Sequence, residues 1–378
     1  MRILVTGATG YVGSRLVTTL LAEGHDVVAA TRDARRLADF GWHDDVTAVE
    51  LDAGDQASVS AAFPRAGQVD VVYYLVHGIG QPDFRDADNR AAANVAGASR
   101  AAGVRRIVYL GGFVPDDNDL SEHLASRAEV AHSLSIEGGP DVVWLGAAMI
   151  IGAGSTSFEM LRYVGDRFWL MPMPAWSANP IDPISIRDVL YYLVAAADAD
   201  RVPAGAYDIV GTETTSYGDL LRTYARVSGR LRAELPINGV DASVVSRMTA
   251  AVLPVPGALA ANLVESLDHP MMGDAGVRDV VPDPPGGLLP TDEAIALALS
   301  TRERRPVNAL DDPHHLADSD PSWAGGDTLR IQQLAGPITP GIVRPALGLL
   351  GVLPGPVAAA VRTGLDTLIK ITPRRKPA

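Results

Sequence analysis

Three glycines at three-residue spacing, Gly7, Gly10 and Gly13, stand directly after an apolar run of strand length and directly before a run with helical periodicity (Val12, Leu16, Leu20, Leu21). Each glycine permits something different. Gly7 lets the chain turn sharply out of a strand, Gly10 removes the side chain that would hold a pyrophosphate off the backbone, and Gly13 lets a helix pack close to a sheet. The helix start then presents N–H groups and the positive end of its dipole. The chemistry this suits is dinucleotide binding, with Gly7, Thr9, Gly10, Tyr11, Val12 and Gly13 as the phosphate loop.

Composition narrows what such a ligand could be used for. The 378-residue chain has no cysteine, which excludes disulfides, thiolate nucleophiles and iron–sulfur ligation, so redox chemistry would belong to a bound cofactor. A net charge of -13 disfavours nucleic acid as a partner, because phosphate contacts need a clustered basic surface. No uninterrupted apolar run reaches the length of a membrane span, and the first strand begins at residue 2; the expected location is cytoplasmic. His314 and His315 are adjacent and lack metal-ligand spacing, so no metal is expected.

The elements that must position the loop alternate regularly. Strand-like segments at 26–31, 46–51, 69–76, 105–110 and 142–151 are separated by helical stretches that include 83–102 and 121–135. Continuous apolar strands between helices predict an α/β fold of Rossmann type, a doubly wound parallel sheet covered on both faces. Beyond residue 152 a smaller, mostly helical lobe is expected: a helix at 158–170, a rigid loop at 171–174, a strand entering a helix at 184–197, a last strand at 206–210, and a helix at 217–227 capped by Ser216. The expected organisation is a dinucleotide-binding domain over 1–211, with 152–180 contributing to the smaller lobe, then a substrate lobe over 212–300, a surface linker over 301–327 and an apolar helical tail over 328–378. In the tail, Val357, Val361, Leu365 and Leu368 share a helical face that either covers the protein's own core or makes peripheral membrane contact, with Arg374, Arg375 and Lys376 near lipid phosphates.

The end of the second strand sorts the two nicotinamide dinucleotides. A carboxylate there favours a free ribose 2′-hydroxyl, whereas arginine favours a 2′-phosphate. Thr31 is followed by Arg32, with Arg35 and Arg36 one turn on, so NADP is the expected cofactor; Asp33, which could cap the next helix or approach the ribose, keeps NAD as the alternative. Asp52 is placed either to hydrogen-bond the adenine amino group or to serve as a turn residue.

Thr6 to Gly13, His77-Gly78, Tyr109-Leu110-Gly111-Gly112 and Ile181-Asp182-Pro183-Ile184-Ser185-Ile186-Arg187-Asp188-Val189 together resemble the short-chain dehydrogenase/reductase superfamily. More narrowly they resemble its atypical branch, alongside NmrA-like and nucleoside-diphosphate-sugar epimerase-like proteins. A bacterial subgroup of unassigned activity is the closer resemblance, through the stretches 73–77, 123–127 and 150–163. The resemblance covers roughly residues 1 to 300 and implies that Leu75, Val76 and Ile150 lie against the cofactor.

Active members of that superfamily use a Ser or Thr after the fifth strand and a Tyr with a Lys four residues later. Here the strand end carries Gly111 and Gly112, and the following helix carries His123 and Arg127 at four-residue spacing, hence on one face. Arg127 could hold the ribose hydroxyls but stays protonated, whereas His123 can transfer protons near neutral pH. His123 is the first candidate for general acid, with Tyr109 and His77 behind it; the plainer alternative is that His123 is a surface residue and Arg127 pairs with Glu122 or Glu129. Glu159, Arg162 and Tyr163 are candidates to face the substrate. The resulting expectation is an NADP(H)-dependent oxidoreductase of the atypical type, transferring hydride to a small, apolar substrate. A non-catalytic NADP(H) redox sensor of NmrA type is the alternative.

Overall fold

The computed structural model describes residues 1–78, 84–113, 122–237 and, with short breaks, 253–330; for 122–125, 266 and 275 it describes the backbone alone. The first six strands are β1 (Arg2–Thr6), β2 (Asp26–Thr31), β3 (Thr47–Glu50), β4 (Val71–Tyr74), β5 (Arg106–Gly112) and β6 (Asp141–Ala147). Four short strands follow: β7 (Ile150–Ile151), β8 (Leu170–Pro174), β9 (Pro180–Ile181) and β10 (Ile184–Ser185). Then come β11 (Gly205–Asp208), β12 (Thr215–Ser216) and β13 (Ala233–Ile237). The helices that matter for the site are α1 (Tyr11–Ala22), α2 (Gln56–Ala66), α3 (Phe84–Ala101), α4 (Glu122–Leu134), α5 (Thr156–Arg167), α6 (Ile186–Ala196), α7 (Tyr217–Val227) and α8 (Thr291–Leu299).

Seven strands form one sheet in the order β11-β6-β5-β4-β1-β2-β3, with every pairing parallel. The order reverses beside β1, between β1 and β4, and that switch point opens a crevice at the carboxyl ends of the strands. The strands read as unbroken apolar runs because both faces are covered. Ile3, Val5, Val27, Ala29 and Tyr73 pack under α1 and α6, while Leu4, Val28, Ala30, Tyr74 and Tyr109 pack under α2, α3 and α4. A third apolar cluster, built by α5, α7 and α8 around Phe158, Leu220, Tyr224 and Ile295, forms the smaller lobe. No helix among the described residues is long and apolar enough to cross a membrane.

Three local expectations are corrected. The stretch 142–151 is not one strand: β6 ends at Ala147, and Ile150–Ile151 pairs instead with Ile184–Ser185. The stretch 171–174 is not a loop but part of β8, which pairs in parallel with β13 despite its prolines, as a strand in a two-stranded ribbon can. The segment 301–327 is no surface linker. His314, Leu316 and Ala317 are fully buried, and the Arg15 guanidinium of α1 donates to the carbonyl oxygens of Pro313 (2.8 Å) and His315 (2.8 Å) and to both carboxylate oxygens of Asp320 (3.0 and 2.7 Å). His314 itself lies between Ser185 Oγ (2.9 Å) and Asp312 Oδ1 (2.6 Å). Asp320, one of the residues that read as solvent-facing, is buried with Arg15, while Arg302, Asp311, Asp318 and Ser322 do face solvent. The expected amphipathic helix with Val357, Val361, Leu365 and Leu368 lies outside the described residues.

Candidate cofactor and substrate cleft

The glycine loop is held open by backbone geometry. Thr6, the last residue of β1, donates its hydroxyl to the Tyr73 carbonyl (2.9 Å), which ties the start of the loop to β4. Gly7 then adopts φ +71°, where a Cβ would lie 2.8 Å from the Leu75 carbonyl oxygen. Gly10 N–H closes the turn on the Gly7 carbonyl (2.9 Å), and a Cβ on Gly13 would come within 2.2 Å of that same oxygen. Gly10 is exposed and occupies the N-cap of α1, where among the described residues no side chain caps the helix, so the first N–H groups of α1 are left for another acceptor.

These residues form one wall of a cavity of about 580 Å³. Gly7, Gly10, Tyr11, Val12 and Gly13 line it from β1–α1, Leu75 and His77 from the end of β4, Gly111 and Gly112 from the end of β5, and Ile150 from β7; Arg127 reaches it from α4. Its far side is apolar, walled by Met160, Leu161, Trp176, Ile181, Tyr217 and Leu221 of the smaller lobe. Tyr11 sits against Gly152, where a Cβ would lie 2.1 Å from its hydroxyl oxygen. That hydroxyl is buried without a hydrogen-bond partner among the described residues, and burial pushes its pKa up. The shape fits a dinucleotide: a glycine cradle that side chains would fill, uncapped helix donors for phosphates, and an open run along the strand ends toward the smaller lobe.

A family model described as NAD(P)H-binding matches residues 7–134. These residues make up an NAD(P)H-binding domain. Sterol demethylase protein B of Methylococcus capsulatus is 27% identical over 266 residues, covering 63% of this chain and 77% of that protein. The chloroplastic divinyl chlorophyllide a 8-vinyl-reductase of Zea mays is 33% identical over 117 residues, 29% of each chain. Among solved structures, the Citrobacter sp. triphenylmethane reductase complexed with NADP(H) superposes with a TM-score of 0.60 at 19% identity, covering 79% of this chain and 100% of that one.

Within this NAD(P)-binding domain the expected site residues part company. Arg127 lines the cavity beside Gly112, and it does not pair with Glu129, which Arg85 and Asn89 of α3 hold instead (2.9 and 2.8 Å). His123 belongs to the first turn of α4, and its side chain lies outside what is described. His77 is exposed at the cavity edge, where the adjoining Gly78 N–H donates to buried Asp88 (2.7 Å). Tyr109 is not in the cleft. It is buried on the opposite face of the sheet between Tyr74 and Trp144, its hydroxyl directed at the Arg127 carbonyl (3.4 Å) and its pKa raised by burial. Alternation along β5 sends Leu110 to one face and Tyr109 to the other.

Thr9 and Val76 are half-buried and lie outside the cavity wall, Val76 packing into the core beneath it. Arg32 is exposed at the end of β2 and makes no ion pair among the described residues. Asp33 caps the next turn through Arg35 N–H (3.1 Å) and holds the Arg35 side chain (2.9 and 3.0 Å), which keeps its carboxyl below the ordinary range. Asp52 accepts from Gly54 N–H (3.0 Å), the turn role. Glu159 and Arg162 do not face the substrate side: Glu159 is fully buried and accepts from Gly154, Gly325 and Arg162, and Arg162 also donates to the Ala298 carbonyl. Tyr163 is fully buried with its hydroxyl on the Trp323 carbonyl.

Tyr217 was not legible as a wall residue. It is the first residue of α7, stacks edge-on against Trp176 with centroids 6.2 Å apart, and has its pKa raised by burial. An aromatic residue just after a Ser N-cap reads as an ordinary helix start, so nothing local announces it.

Proposed function

We propose that the protein is an NADP(H)-dependent oxidoreductase that transfers hydride to a small, apolar substrate carrying an activated double bond. One observation carries this reading: the glycine cradle and the apolar chamber of the smaller lobe are parts of the same cavity. Bound NADPH supplies a hydride to the substrate. The chain's own residues bind and orient: α1 donors take the pyrophosphate, exposed Arg32 takes the 2′-phosphate, and Arg127 holds the ribose on the nicotinamide side. The apolar wall excludes water and selects the substrate.

Several features favour double-bond reduction over alcohol–ketone exchange. Gly111 and Gly112 occupy the strand end where a hydroxyl would otherwise assist an oxyanion, and Tyr109 faces the core. Lysine occurs only at positions 370 and 376, so no Tyr–Lys pair at four-residue spacing can form in the cleft. A carbanion is more tolerant, since His123, His77 or water can protonate it. One similar protein, the vinyl-reductase of Zea mays, is named for the reduction of a carbon–carbon double bond. The buried position of Tyr109 also favours a second reading, a redox sensor that binds NADP(H) without turning it over.

Deuterium transfer separates the two. Both faces of 4-deuterated NADPH are incubated with the protein and a small-molecule extract of the source cells. Label in a product only with the intact protein supports the reductase; tight NADPH binding without transfer supports the sensor.

A further inference from the structure

One apolar surface runs from solvent into the cavity. In the ribbon formed by β8 and β13 the register pairs Leu170 with Ala233, Pro172 with Leu235 and Pro174 with Ile237. Alternate residues of a strand share a face, so these six lie together. At the inner end Pro172, Pro174 and Ile237 line the cavity; at the outer end Leu170, Ala233 and Leu235 are exposed. Leu231, two residues before Ala233, continues this face at 96% exposure, and Trp169, directly before Leu170, stands at the same end of the ribbon at 68%. Large apolar side chains held this far into water at the outer end of a strip that runs to a cavity mark a surface that is covered in use.

The polar groups beside it indicate by what. Leu231 lies between Arg230, which reaches Asp166 at 3.3 Å, and Arg232, whose guanidinium donates to the Gly165 carbonyl at 2.8 Å. Glu234, on the ribbon's other face, is taken by Arg222 at 2.7 Å. An exposed Leu flanked in sequence by arginines, with an exposed Trp at the head of the neighbouring strand, suits a lipid–water boundary, where the indole lies at headgroup depth and arginine stems run along apolar surface. We propose that the β8–β13 ribbon docks on a lipid surface and that an apolar substrate passes from the lipid along this face into the cavity. The proposal rests on the apolar-substrate reading above.

The test uses the full chain and vesicles of phosphatidylcholine, with and without phosphatidylglycerol. Flotation measures the bound fraction, and brominated acyl chains report the depth of Trp169 by fluorescence quenching. The variants are Trp169→Ser with Leu231→Asp, and the conservative Trp169→Phe with Leu231→Phe. Expected are binding by the parent chain, at least a fivefold loss in the polar double variant with NADPH affinity and Tm unchanged, and retention in the conservative one. Equal flotation of parent and polar variant overturns the proposal, as does no flotation of the parent. A parent dimer that the polar variant converts to monomer also overturns it, since the face would then be covered by a second copy. Deuterium transfer to a detergent-dispersed substrate is run in parallel: transfer without flotation defeats the docking alone, and flotation without transfer defeats the substrate reading alone.

Discussion

Arg15 and Asp320, 305 residues apart, form a two-pronged ion pair with side chains only 2% and 1% exposed, and the Arg15 guanidinium also lies 4.0 Å from the centre of the Tyr11 ring, a wall of the cofactor cleft. The segment 301–327 therefore braces, through Arg15 and Tyr11, the first turn of α1, which lines the cavity. Removing one partner leaves a charge buried and unpaired. Asp320→Ala should cost about 3–5 kcal/mol, read as a large fall in Tm, and should weaken NADPH binding through the displaced Tyr11. An unchanged Tm would contradict the brace.

The loop glycines should separate fold from binding. Ala at position 13 would place a Cβ 2.2 Å from the Gly7 carbonyl oxygen, whereas Ala at position 10 would meet it at 3.2 Å, a tight contact that a small shift relieves. Gly13→Ala is expected to lower Tm by an amount corresponding to about 1–3 kcal/mol. Gly10→Ala should lower Tm less than Gly13→Ala does and yet abolish NADPH binding in a fluorescence titration. Full affinity in the latter would rule out the cradle.

Arg32 is the exposed cation at the end of β2, and Arg35 is already held by Asp33. Loss of a charge-assisted hydrogen bond is worth about 1.5–3 kcal/mol, so Arg32→Ala should weaken NADPH roughly ten- to a hundredfold and leave NADH within about twofold. Equal losses for both dinucleotides would remove the 2′-phosphate assignment.

Arg127 lies against Gly112 at the strand end. Arg127→Met should raise the NADPH Kd by about tenfold with Tm unchanged, consistent with one lost charge-assisted contact. A fall in Tm with no change in Kd would make it a structural residue instead.

Glu129 clamps α4 to α3 through Arg85 and Asn89, and the side-chain hydrogen bonds from Arg85 hold its pKa at about 2 against an ordinary 4.5. A carboxyl whose folded pKa is depressed stabilises the fold fully above its unfolded pKa and loses that contribution as pH falls through the folded value. The pair is partly exposed, so the effect is small. The Tm difference between the parent and Glu129→Gln should shrink as pH falls from about 4.5 to about 2; a pH-independent difference would contradict the clamp.

What the sequence determined by itself is local or periodic. The glycine loop is written in seven consecutive residues, and the doubly wound sheet follows from apolar runs buried on both faces. Side-chain direction at a strand end was not legible: a shift of one position along β5 decides between cleft and core, and it put Tyr109 in the core. Pairings between distant parts of the chain were hidden too. Nothing near Arg15 announces Asp320, and nothing in the proline-rich stretch 171–174 announces β13 as its partner. Charged and proline-rich stretches read as surface because most are. Only the tertiary structure brings opposite charges close enough in a low-dielectric interior to bury them together, and only it shows where an apolar strand face leaves the core and meets solvent.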